Sequence, residues 1–182
     1  MNASLVLLRG INVGGKNLVP MAALRTLLDD MGYFNVSTYI ASGNVILESD
    51  RRPDAIRAQI EEALPKSFKL DAELIKVLVL PRERLEGMVK NKPKGFGEEP
   101  AKYHSDAIFL MDLDRDEVMA VFDPREGVDR IWPGDGMIYS QRLIAQRTKS
   151  RLNRIMATPA YRSMTIRSWQ TTTKLLELLR SR

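Results

Sequence analysis

Leu5-Val6-Leu7-Leu8-Arg9-Gly10-Ile11-Asn12-Val13-Gly14-Gly15-Lys16-Asn17, followed by Pro20-Met21-Ala22-Ala23-Leu24, is the stretch on which the fold turns. Four consecutive apolar residues read as a buried strand, and Pro20 sets the dihedral of a helix's first turn. Between them lie three glycines, two asparagines and two cations, a composition suited to a loop that turns sharply and gathers N–H groups and positive charge. The opening of the chain is therefore strand, loop, helix, with a candidate anion-binding site in the loop.

Reading outward, the helix over about 20–31 places Met21, Leu24, Leu27, Leu28 and Met31 at helical spacing, with Gly32 just past its end. Two strand-like runs follow, Val36–Ile40 and Val45–Leu47, joined across Ser42-Gly43-Asn44 as a hairpin turn. A helix over 54–64 presents Ile56, Ile60, Ala63 and Leu64, and Leu74–Leu80 is dense enough in Leu, Val and Ile to be a central strand. This order, with the strand at 4–9, is βαββαβ, the ferredoxin-like unit. A further helix over 82–91 closes the half.

The order then recurs. Strands are expected at 107–111, 128–132, 137–142 and 163–169, with helices at 115–122, 150–158 and 171–180. The expected architecture is α+β, two ferredoxin-like βαββαβ halves in tandem, each followed by an extra helix. Their bounds are 1–91 and 101–182, with 92–100 as a connecting loop. In such a unit the first and second strands are parallel, because a right-handed crossover returns the chain to the same end. Arg9 and the glycine loop are thereby placed on the same rim as Ser42-Gly43-Asn44. Two polar, glycine-bearing loops on one rim are either the wall of a pocket or two tight turns needing positive φ.

Composition narrows the chemistry. With no cysteine, disulfides, thiolate catalysis and the usual structural zinc sites are excluded. The one histidine, His104, excludes schemes needing two imidazoles and reads as a surface residue ahead of a strand. No apolar run is long enough to span a bilayer. The start, Met1-Asn2-Ala3-Ser4, lacks the features of a signal peptide, so a cytoplasmic location without membrane association is expected. Residues 141–182 carry ten basic side chains against one acidic, Glu177, a hint of a polyanionic partner or simply a solvated basic face.

Gly10-x-x-x-x-Gly15-Lys16 fits a phosphate-binding P-loop until Asn17 stands where Ser or Thr should hold magnesium, and the helix starts only at Pro20. A P-loop nucleotidase is rejected, although backbone N–H groups and Lys16 could still hold an anion. Acid pairs such as Asp29-Asp30 and Glu61-Glu62 point apart on helices, and Ser42 has no base beside it, so no catalytic constellation is present. Strands 5–8 and 45–47 carry no aromatic residue for stacking RNA bases. Trp169 is assigned to the core.

Taken together, Leu8–Asn17, Val19-Pro20-Met21, Thr38-Tyr39-Ile40-Ala41-Ser42-Gly43-Asn44-Val45 and, more weakly, Lys149–Leu152 resemble a bacterial family known as domain of unknown function 1697. The closing Thr165-Ile166-Arg167-Ser168-Trp169-Gln170-Thr171 is similar to the family's Thr-x-Arg-Asn-Trp-x-Thr pattern, with Ser168 in place of asparagine. The resemblance implies an α+β fold and no activity. It also implies that the three segments belong to one pattern, giving a candidate ligand site of Arg9, Asn12, Gly14, Gly15, Lys16, Asn17, Ser42, Gly43, Asn44 and Arg167, without metal or cofactor.

Three functions follow in order of preference. The first is binding of a small phosphate- or carboxylate-bearing ligand. There Gly14, Gly15 and Lys16 take the anion, Arg9 and Arg167 neutralise it, and Asn17 and Asn44 orient it. The second is a nucleic-acid-binding module using Arg147, Lys149, Arg151 and Arg154. The third is a protein-interaction module in which the glycine loop is purely structural.

Overall fold

The computed structural model describes residues 1–182. In chain order the elements begin with β1 (Asn2–Leu8), α1 (Met21–Asp30), β2 (Phe34–Tyr39), β3 (Asn44–Ser49), α2 (Pro53–Ser67), β4 (Val77–Pro81) and α3 (Arg82–Lys90). They continue with β5 (Tyr103–Leu110), α4 (Arg115–Val121), β6 (Asp129–Pro133), β7 (Met137–Leu143), β8 (Met164–Ser168) and α5 (Trp169–Arg180). Two antiparallel four-stranded sheets result, ordered β2-β3-β1-β4 and β6-β7-β5-β8. Both have the strand order of a ferredoxin-like unit, so the expected α+β tandem is the fold observed.

The chain divides into two compact units, Met1–Glu86 with Leu175–Arg182, and Gly87–Lys174. In the first, β1 is central and buried along both faces from Ala3 to Leu8. Val6 and Leu8 pack in a core with Leu24 and Leu28 of α1 and Ile56, Ile60 and Leu64 of α2, the residues that helical spacing had placed on one face. In the second unit Ile108 and Leu110 of β5 pack with Val118, Ile138, Ile155 and Met164. The opposite face of that sheet holds an aromatic cluster. Phe96 meets Trp132, Tyr139 and Trp169 edge-on, with ring centroids 5.9, 5.2 and 4.9 Å away.

Five expectations change. The segment at 92–100 lies inside the second unit, and Phe96 within it is fully buried. The helix expected at 150–158 is instead part of a run of 3-10 turns over Ile144–Lys149, Leu152–Ala157 and Pro159–Ser163. Its two buried anchors, Leu152 and Ile155, are three residues apart, the period of a 3-10 turn. The strand carrying His104 begins at Tyr103 rather than 107, and α5 begins at Trp169 rather than 171. Strand β4 begins at Val77, because Leu74 is half exposed and Ile75 turns into the core.

Candidate functional site

The rim of the first sheet brings the two predicted loops together. Leu7 faces Asn44 in the β1–β3 register, and the Leu8 N–H donates to the Gly43 carbonyl at 2.8 Å. Asn44 is wholly buried; its Nδ2 donates to the Tyr39 carbonyl at 2.9 Å and to Ser42 Oγ at 3.0 Å. The amide thereby closes the hairpin from within.

The glycine-rich loop is itself a small hairpin. Asn12 N–H donates to the Asn17 carbonyl at 3.1 Å and Lys16 N–H to the Val13 carbonyl at 3.0 Å. The two residues at its tip, Gly14 and Gly15, have φ of 58° and 74°, the positive pair that a type I′ turn requires. Asn12 and Asn17 are also left-handed, at φ 56° and 49°, a conformation asparagine tolerates better than most residues. Their side chains hold this geometry. Asn12 Oδ1 accepts from the Val19 N–H at 2.8 Å, while its Nδ2 donates to the carbonyls of Val19 at 2.9 Å and Ala41 at 2.8 Å. Asn17 Oδ1 accepts from the N–H groups of Asp71 and Ala72, both at 2.9 Å, and its Nδ2 donates to the Gly10 carbonyl at 3.1 Å. The Asn17 N–H in turn donates to Asp71 Oδ2 at 2.6 Å. Two asparagine side chains thus tie three separate loops into one rim.

The predicted residues therefore divide by role. Asn12, Asn17 and Asn44 bond to the chain's own backbone. Gly14, Gly15 and Lys16 are exposed at the tip, while Arg9 and Ser42 are half-buried. Lys16 precedes α1 by several residues, so the P-loop arrangement, with its lysine on the first helical turn, is absent. Exposed Val13, Leu18, Ile40 and Leu74 flank these loops. Arg167 belongs to the second unit. It is buried on β8, donates to Thr165 Oγ1 and the Ile166 carbonyl at 2.9 Å each, and burial lowers its pKa to about 10.

The second unit contains a cleft of about 520 Å³ that the sequence reading missed. Tyr103, His104, Ser105, Ser168, Trp169 and Thr173 contribute to its walls. The one available signal was the adjacency of Tyr103-His104-Ser105 to a strand. Nothing in the spacing shows that this segment meets the start of a helix some 65 positions away. His104 Nε2 lies 3.0 Å from Asp106 Oδ1. Burial raises the Asp106 pKa above its ordinary value, against the opposing pull of His104 and Arg142. A buried acid with a raised pKa supports the fold while protonated, and that support is lost as pH rises through the raised value. Asp106→Asn, which keeps an acceptor for His104, is therefore expected to be more stable than wild type at pH 7. The gain should shrink as the pH falls towards 4, measured by urea midpoints across that range. A wild type more stable than the variant at pH 7 would refute this assignment.

Residues 1–139 match the family described as Protein of unknown function (DUF1697). The match ends before Thr165–Thr171, so the closing segment's likeness to the pattern rests on its own residues. Among solved structures the chain is similar to a conserved bacterial protein from Streptococcus pneumoniae, at 27% identity over 98% of each chain and a TM-score of 0.82. No curated protein matches. No helix is long and apolar enough to cross a membrane.

Proposed function

The chain belongs to the DUF1697 family, and we propose that this member binds a small phosphate- or carboxylate-bearing ligand at the tip of its glycine-rich loop. One observation carries the reading. The loop's asparagine amides are all committed to backbone, while the N–H groups of Gly14 and Gly15 and the Lys16 ammonium stand exposed with no partner in the protein. A rigid loop that presents two N–H groups beside a cation gives up little conformational freedom when it meets an anion. Holding Asn12 and Asn17 left-handed costs stability, and such conformations persist only where the surroundings enforce them. Asp71 accepts from the Asn17 N–H, which leaves the N–H groups of Gly14 and Gly15 with Lys16 as the donors at the tip.

A thermal-shift series with inorganic phosphate, sulfate, sugar phosphates and short carboxylates tests this. A ligand at a hundred times its Kd adds about 2.7 kcal/mol, or about 5–10 °C for a chain of this size. Wild type is expected to shift and Lys16→Ala to lose most of the shift. Equal shifts in both proteins, or none with any anion, would sink the proposal.

A second reading has its own observation. Arg147, Lys149 and Arg162 stand exposed along the 3-10 turns, in a stretch rich in basic residues. Nucleic acid would be held there by charge, with affinity falling steeply as salt rises. Of the four residues named from sequence, Arg151 and Arg154 share Asp123, at 3.2 and 2.7 Å, which reduces the free charge of that surface.

A further inference from the structure

The cleft in the second unit lies where β8 runs into α5. Asp106 pairs with Ser168, the last residue of β8. That register sets Trp169 opposite Ser105, whose carbonyl accepts from the Trp169 backbone N–H. Directly opposed residues of an antiparallel pair send their side chains to the same face of the sheet. For Ser105 this is the aromatic face, because Ala107, two residues further along β5, lies opposite Tyr139. Ser105 and Trp169 therefore stand side by side in the wall of one cleft.

The Trp169 indole is a donor without an acceptor. The residue is 8% exposed, and its ring is held edge-on against Phe96 and Tyr139, with centroids 4.9 and 6.1 Å away. A tryptophan buried this deeply ordinarily finds a partner for its N–H. Here Nε1–H makes no hydrogen bond in the protein. Nor is it sealed away, because the buried side-chain polar atoms without a partner are Asp129 Oδ1 and Gln141 Oε1 alone. The Nε1 edge lies beside Gly97, where a Cβ would stand 2.4 Å from Cδ1 and 2.7 Å from Nε1. Gly97 also lines the cleft, so its missing Cβ keeps that edge open to the space. The Ser105 hydroxyl, half-buried beside it, likewise bonds to nothing in the protein.

The remaining walls decide the charge of an occupant. Pro100, Ile144 and Tyr103 supply apolar surface, and no Asp, Glu, Lys or Arg lines the cleft. His104, which does, is engaged with Asp106. An anion would lose its water there with no cation to replace it. A cation would meet the Lys102 ammonium and the Arg130 guanidinium, which pack on the Tyr103 ring at 5.1 and 6.0 Å. A mostly apolar pocket of about 520 Å³ with a few placed polar groups is of the kind that holds small molecules.

We infer that the cleft binds an uncharged small molecule through a carbonyl oxygen. The oxygen accepts from the Trp169 indole N–H, the Ser105 hydroxyl is the second polar contact, and the apolar body lies against Pro100 and Ile144. Because two rings already hold the indole, the donor loses little freedom on binding. This site is separate from the glycine-rich loop and does not rest on the reading of that loop.

The test titrates the full chain with matched probes at millimolar concentration and follows its two indole N–H resonances, those of Trp132 and Trp169. Acetophenone and cyclohexanone supply the carbonyl. α-Methylstyrene and methylenecyclohexane keep the same shapes with a methylene in place of the oxygen, and benzoate adds a charge. The ketones are expected to move the Trp169 indole resonance downfield saturably. The methylene analogues should bind about tenfold more weakly, the effect of one hydrogen bond, and benzoate should not bind measurably. Trp169→Phe keeps a ring but removes the donor, and should bind ketone and methylene analogue alike, read from the Ser105 backbone amide. Ser105→Leu fills the cleft from β5, and Thr173→Trp fills it from α5 should the first variant fail to fold. Both are expected to abolish binding with an unchanged far-UV spectrum, whereas Lys16→Ala leaves it intact. A Trp169 indole resonance unmoved by either ketone, equal binding of ketone and methylene analogue by wild type, or ketone binding unaltered in Thr173→Trp would each overturn the inference.

Discussion

Phe96→Ala will destabilise the second unit by about 3–5 kcal/mol, the range for removing a buried phenylalanine ring. Phe96 is fully buried, and its ring is the one that touches Trp132, Tyr139 and Trp169 alike. Truncation removes transfer energy, leaves a cavity and cancels three edge-to-face contacts, each worth about 0.5–1.5 kcal/mol beyond burial. Collapse is opposed because Tyr139 is tethered, donating its hydroxyl hydrogen to the Met88 carbonyl at 2.6 Å. Urea unfolding followed by near-UV circular dichroism reads the effect in the cluster itself. A loss below about 1.5 kcal/mol would mean that the segment at 92–100 is the surface connector its proline and glycine content suggested. Phe96→Leu keeps much of the volume and should recover more than half of the loss.

Gly43→Ala is expected to cost about 2–5 kcal/mol, which combines a strained conformation with overpacking. Gly43 sits at φ +82°, where an L side chain is disfavoured. A Cβ there would lie 2.9 Å from the Leu8 carbonyl oxygen, 3.0 Å from Leu8 Cβ and 3.0 Å from Ile11 Cγ1. Two of those atoms belong to or adjoin the backbone of the central strand, which cannot yield as a flexible side chain would. Relief therefore requires the hairpin to move away from β1, breaking the Leu8 to Gly43 hydrogen bond. Hydrogen exchange at Leu8, together with urea midpoints, measures this. Gly14→Ala provides the contrast, since a Cβ at Gly14 meets nothing within 4 Å and only the positive φ is penalised. Equal losses at the two positions would show that crowding against Leu8 plays no part.

Much of the architecture was legible from local pattern. The helix over 20–31 was readable because Leu24 and Leu28 recur at helical spacing behind Pro20. The hairpin was readable because alternating and apolar runs flank Ser42-Gly43-Asn44. That the glycine loop and this hairpin share a rim follows from crossover handedness alone, and the bond from Asn12 Nδ2 to the Ala41 carbonyl realises it. The roles of the asparagines were not legible. Asn12, Asn17 and Asn44 look like ligand-orienting amides in sequence, because an amide that will bond to backbone 55 residues away looks the same as one that will bond to a ligand. The 3-10 turns were misread as a helix for a related reason: Leu152 and Ile155 satisfy both periods, and only the absence of a third anchor separates them.

Element order, the apolar periodicity behind each core and the turn chemistry of Gly14-Gly15 were determined by the sequence itself. Each rests on interactions within a few residues, or on a handedness shared by all L-chains. Tertiary structure decided the rest. It turned Phe96 from a connector residue into a core residue and committed three asparagines to backbone. It also brought Tyr103-His104-Ser105 against the start of α5 to line one cleft. These outcomes depend on which distant backbone groups lack partners once the sheets have formed, and hydrogen-bond satisfaction is a property of the assembled sheet rather than of any local stretch of chain.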